Sequence, residues 1–221
     1  MKTPLIQIKY KPYVRWLGRC ATPSFFLLVL VVVSGCGVGG NRAHVAKQYL
    51  LEYPPPVVEG LVQKEETIKV YRFSVAQAFN LSSMIYREGP FEFQADPYNS
   101  WMANPGQMVS DYLIRDLRKG ELFRAVFSYN DIEDTRYTLG GVIEEFVGLG
   151  GKEGAKAGLT ANVTFLDTSQ RQLPQSVIFQ RQYQFVEPLT KEGPAGFAEA
   201  MSRAMEKFSR QLIKDLDQAT K

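Results

Sequence analysis

Thiols and imidazoles are almost missing from this 221-residue chain: its two cysteines, Cys20 and Cys36, fall within the first 36 positions, and its one histidine is His44. The remainder has no disulfide framework and no cysteine zinc site, and it lacks the histidine that a Ser/His/Asp triad, a Cys/His pair or a multi-histidine metal centre requires. Acids are missing from the start of the chain, where the first is Glu52. Five of the 26 Lys and Arg residues (Lys2, Lys9, Lys11, Arg15, Arg19) precede residue 36, so removing the first 35 positions leaves 21 bases against 23 acids and moves the net charge from +3 to −2. The basic balance therefore belongs to the N-terminal segment. A nucleic-acid partner, which needs a basic stripe on the folded part, is not expected. Long apolar runs are scarce too, the longest being the nine residues Phe25–Val33.

That run is too short for a membrane-spanning helix, which takes roughly 20 apolar residues. It follows a basic, acid-free stretch and ends in small residues, the pattern of an export signal over residues 1–35. Val33, Ser34, Gly35 and Cys36 match a bacterial lipobox, in which an aliphatic residue and two small ones admit the signal peptidase and the thiol accepts diacylglycerol. Cys36 is then expected as the mature N-terminus, carrying covalent diacylglycerol and an acyl chain and needing no other cofactor. Several chains, at about 0.8 kcal/mol per buried methylene, hold a protein on a bilayer essentially for good. Gly37, not Asp, follows the cysteine. By the sorting rule of enteric bacteria this favours the outer membrane, with the domain facing the periplasm.

Residues 36–47 read as a lipidated cysteine and glycine-rich tether, and 48–221 as one domain long enough to bury a core without staples. Gln48–Tyr53, stopped by Pro54-Pro55-Pro56, and Thr67–Val75 predict strands. Ser82–Arg87 and Phe91–Asp96 predict a hairpin around Glu88-Gly89 with one wet face. Asn104 can cap a helix opened by Pro105, with Gln107 reaching back, and Val109, Tyr112, Leu113 and Leu117 give its stripe. Strands are expected over 122–127, 137–147, 159–167 and 177–186. In the last two, Leu159, Ala161, Val163 and Phe165 alternate cleanly, as do Val177, Phe179, Tyr183 and Phe185. A long amphipathic helix over 194–217 carries Phe197, Met201, Ala204, Met205, Phe208, Leu212 and Leu216 on one side. The expected class is α+β, an antiparallel sheet with two helices packed on one face.

The glycines Gly148, Gly150, Gly151 and Gly154 fit no phosphate-binding pattern, because no helix follows them, and predict a mobile hairpin loop able to meet a partner or membrane surface. Asn130–Asp134 is acidic but lacks the glycine and terminal glutamate of a calcium loop. Glu144 and Glu145, adjacent in a strand, are expected to face opposite ways. Tyr98, Trp101 and Pro105 form the most distinctive cluster, either aromatic packing between sheet and helix or an anchor for a partner. No catalytic set emerges, so no enzymatic activity is expected.

A lipobox cysteine, the segment Tyr49-Leu50-Leu51, the core Met84-Ile85-Tyr86-Arg87 and the element Tyr98-x-x-Trp101-x-x-x-Pro105 together resemble the ABC-type transport auxiliary lipoproteins, the family of the paraquat-inducible (Pqi) system lipoprotein. Ser100 stands where that family usually has arginine before the tryptophan. The resemblance spans nearly the whole mature chain. It implies a non-enzymatic outer-membrane partner of a transporter with an MCE-type (mammalian cell entry) component, moving lipids or other hydrophobic molecules, and a homo-oligomeric ring around a tubular partner. An envelope-assembly scaffold or activator, for example of peptidoglycan synthesis, is the alternative; it calls for a longer tether than these eleven residues, which reach roughly 36 Å at most.

Overall fold

The computed structural model describes residues 45–151, 154–170 and 176–221. The lipobox, Cys36 and most of the tether lie outside them. Among the described residues nine strands run in the order β1 (Lys47–Tyr49), β2 (Lys64–Val70), β3 (Ser74–Val75), β4 (Ser83–Arg87), β5 (Phe93–Trp101), β6 (Phe123–Phe127), β7 (Tyr137–Leu149), β8 (Lys156–Asp167) and β9 (Val177–Pro188). Two α-helices, α1 (Pro105–Gly120) and α2 (Gly193–Ala219), pack on one face, so the class is α+β.

The sheet is mixed, not antiparallel throughout. β7 is its axis. Along one side it pairs antiparallel with β8, which pairs antiparallel with β9. Along the other side β2, β3 and β4 follow one another parallel to β7, meeting it at Tyr137–Leu139, Val142–Ile143 and Gly148–Leu149. β6 extends β2 in parallel, β5 extends β4 as an antiparallel hairpin, and β1 adds to β5 in parallel. Alternation along a strand reports which face is wet and carries no information on direction. The parallel pairs require crossovers, and the segment through α1 supplies the one between β2 and β6.

Local breaks have visible causes. The strand expected over 67–75 divides because Phe73 turns into the core, where its N–H donates to Ser110 Oγ at 2.8 Å. The first strand ends at Tyr49 because Leu51 and Tyr53 dive under the helices. Tyr112 donates its hydroxyl to the Leu51 carbonyl there, and the Glu52 N–H donates to Ser202 Oγ at 2.9 Å. Ser110 and Ser202 thus each pin a helix to the chain beneath it, handing their own protons to carbonyls one turn back, Gly106 and Ala198.

Asn104 caps α1 by accepting from the Gly106 N–H at 3.0 Å, and Arg118 and Lys119 sit in its last turn, where cations complement the helix dipole. Every member of the α2 stripe is fully buried. Its opposite flank holds the i,i+4 pairs Glu199–Arg203 and Glu206–Arg210 at 3.3 and 2.6 Å. Trp101 ends β5 at 1% exposure, edge-on to Phe146 and Phe197 at centroid distances of 5.2 and 5.4 Å, and joins sheet to α2.

Candidate functional site

Of Tyr98, Trp101 and Pro105, two pack between sheet and helix and one does not. Trp101 is in the core and Pro105 is the buried first residue of α1, while Tyr98 stands 48% exposed on β5. Tyr98 and Trp101 are three residues apart on β5, and alternation along a strand puts such positions on opposite faces. Beside them Asp96 Oδ1 accepts the N–H groups of Tyr98 and Asn99 at 2.8 and 2.9 Å, where the pairing of β5 with β4 shifts register. Ser100 lies between Gln48 of β1 and Ser83 of β4.

The glycines divide as well. Gly148 belongs to β7, not to a loop; a Cβ there would meet Tyr86 Cδ1 at 2.5 Å, so the absent side chain is what lets the Tyr86 ring lie across β7 toward Phe197. Gly150 continues the pairing by donating to the Arg87 carbonyl at 3.1 Å. Gly151 has open space where a side chain would stand, and Gly154 takes the left-handed φ of +95° that closes the turn before β8. The connection therefore runs only from Gly150 to Ala155, of which Lys152 and Glu153 are outside the described residues.

Glu144 and Glu145 share a face, against expectation. A bulge between Ile143 and Glu145 puts both on the side away from the helices: Glu145 accepts from Thr160 Oγ1 at 2.9 Å and Arg87 Nη1 at 3.4 Å, and Glu144 from Gln182 Nε2 at 2.6 Å. Each carboxylate is engaged by a donor of the sheet itself. Asp131, in the acidic segment, folds back on Ser128, accepting its N–H at 2.7 Å and its hydroxyl at 3.0 Å, bonds that hold the carboxyl below the usual range. Among the described residues no group of three or more His, Cys, Asp and Glu is placed to hold a metal ion. A groove of about 430 Å³ beside α1 is lined by Arg115, Arg118 and Lys119. Arg115 is committed to Asp116 at 2.8 Å and lies over the rings of Tyr53 and Tyr112, and Arg118 donates to the Val126 carbonyl. The groove is thus part of the α1 packing.

What the strands do bring together is one end of the sheet. The β4–β5 turn, closed by the Glu88 N–H donating to the Glu92 carbonyl at 3.1 Å, and the Gly150–Ala155 connection sit side by side there, because Arg87 pairs with Leu149. The apolar face of this hairpin, expected to be covered, is open: Phe91 is 97% exposed, Phe93 47%, and Ala95 is exposed. The sequence signal was Glu88-Gly89-Pro90-Phe91-Glu92, a phenyl ring set between turn formers and acids. No helix among the described residues is long and apolar enough to cross a membrane.

This architecture is that of solved proteins of low identity. Protein XCC0632 from Xanthomonas campestris, a DUF330 protein, superposes with a TM-score of 0.72 at 19% identity, over 79% of this chain and 97% of its own. An uncharacterized protein gives 0.62 at 11%, over 78% and 99%, and hypothetical protein CT253 from Chlamydia trachomatis gives 0.50 at 8%, over 70% and 96%. No curated protein sequence matches. The family model described as ABC-type transport auxiliary lipoprotein component matches residues 49–213, from the end of β1 into the last turns of α2, and the chain belongs to that family.

Proposed function

We propose that this chain is a non-enzymatic, outer-membrane lipoprotein that docks an MCE-type component of an ABC transport system, serving the passage of lipids or other hydrophobic molecules across the envelope. The observation that carries the reading is the family match, which takes in α1, strands β2 to β9 and most of α2. The chemistry agrees with it: no cysteine follows Cys36, no histidine follows His44, and the adjacent acids Glu144 and Glu145 are bound by sheet residues. Cys36 carries the lipid, and the eleven residues to Lys47 keep every copy in one layer within roughly 36 Å of the bilayer. Confinement to a layer raises effective concentration and favours self-association into a ring.

Two measurements test this. Mass spectrometry of membrane-extracted protein should find Cys36 as a lipidated N-terminus; an unmodified one overturns the anchor. Photo-cross-linkers at Gly151 and at Arg210 on the polar flank of α2 should give adducts with an MCE-type protein or with neighbouring copies in whole cells. Monomer alone at both positions, with unchanged envelope permeability to hydrophobic compounds in a deletion strain, overturns the docking role.

A further inference from the structure

Phe93 and Phe91 differ in how they are held. The Phe93 ring lies edge-on against Phe79 at 5.8 Å, and Phe79 packs with Ile85 and Val147 in a small apolar cluster distinct from the main core. That cluster stiffens the base of the hairpin. Phe91, two residues nearer the tip, is left almost entirely in water. Phe91, Phe93 and Ala95 alternate along one face and are all exposed, so the tip presents a contiguous apolar strip, the kind of surface that marks an interaction site.

The course of the chain says what. β1 is parallel to β5, with Lys47 opposite Asn99, so the residues before Lys47 approach the sheet from the side on which β5 begins, the side of the hairpin tip. From Asn99 back to Phe91 is eight residues, about 26 Å at full extension, and from Lys47 back to Cys36 is eleven, about 36 Å. A lipid on Cys36 therefore allows the tip to lie on the bilayer that holds the anchor. We propose that the β4–β5 tip is a membrane-contact element, with Phe91 and then Phe93 entering the boundary between headgroups and acyl chains. The flanking Glu88 and Glu92 suit it to a zwitterionic headgroup layer, since an anionic one would repel them. This contact rests on the anchored reading of Cys36 and adds to it a fixed orientation: the tip end faces the lipid, and the far end of β7, about 40 Å away at 3.3 Å per residue, faces the periplasm.

The test uses the full lipidated chain in phosphatidylcholine vesicles, with Phe91→Trp and, as a control, Ile132→Trp. Ile132 is 95% exposed in the loop before β7, at the other end of the molecule, so the comparison isolates place from exposure. Measured as the difference from the parent chain, whose buried Trp101 emits in every variant, Phe91→Trp should add emission that shifts to the blue on vesicles and is quenched by lipids brominated on their acyl chains, and Ile132→Trp should add emission that does neither. Equal behaviour of the two, with the protein still vesicle-bound and Cys36 lipidated by mass spectrometry, overturns the tip contact and leaves the anchor standing. An unlipidated Cys36 overturns the anchor itself. A blue shift that depends on protein concentration and needs no vesicles overturns the lipid in favour of a second copy.

Discussion

Tyr53 and Tyr183 do the same work at the two helices. Each sends its hydroxyl into a helix carboxylate, Tyr53 to Asp116 at 2.8 Å and Tyr183 to Asp215 at 2.6 Å, and each carboxylate also holds an arginine, Arg115 and Arg181. Burial first, and then the neighbouring carboxylate, pushes both phenols far above their ordinary range, so they serve as neutral donors. A raised phenol contributes stability that is fully present below its unfolded value near 10 and is lost as pH rises toward the folded one. Tyr53→Phe should lower stability at pH 7 by about 1.5–3 kcal/mol, the worth of a hydrogen bond to a charged group, and should flatten the loss of stability above pH 10. Urea unfolding across pH 7 to 11 checks both. Trp101 is the other residue with large leverage. Trp101→Ala should cost about 3–5 kcal/mol and Asn104→Ala about 1, because the first opens the contact between β5 and α2 while the second removes the cap bond and an exposed hydrogen bond to Asn80. Thermal melts of the two variants should rank accordingly; equal melting temperatures would contradict the packing described for Trp101.

At the level of elements, β7 decides most of the architecture, and glycines set what can lie across it. Gly148→Ala should drive a methyl into Tyr86 and cost about 1–3 kcal/mol, since that ring is backed by Phe197 and cannot retreat freely. Gly151→Ala, with nothing within 4 Å, should change stability by no more than about 0.5 kcal/mol. Urea midpoints of the pair distinguish a strand glycine from a loop glycine, a distinction that the run Gly148-Leu149-Gly150-Gly151 conceals. The elements most legible in the sequence were those with an uninterrupted period: α2, whose seven stripe residues are all buried, and β8 and β9. Those that were misread have a side chain diverted by a distant partner, as Phe73 is by Ser110, or a bulge that reverses parity, as at Glu144 and Glu145. A local pattern cannot register either.

At the scale of the molecule, both helices and the three branches of the sheet share one core, in which Trp101, Phe146, Phe197 and Phe208 come from β5, β7 and α2. The outer face carries single exposed aliphatic side chains at Val142 and Val186, and the two phenyl rings Phe91 and Phe93 stand open together at the hairpin tip. The sequence by itself determined the class α+β, the two helices and their buried sides, and the concentration of unbalanced basic charge before residue 36, because these follow from periodicity and charge within short windows. It also carried the family, through motifs spread over the chain. Only the tertiary structure decided that β2, β3 and β4 run parallel to β7, that Trp101 lies inside while Tyr98 lies outside, and that the hairpin tip shares an end with the entering chain. Those depend on pairings across 50 residues or more, where the free energy of the shared core and not any local preference selects the register.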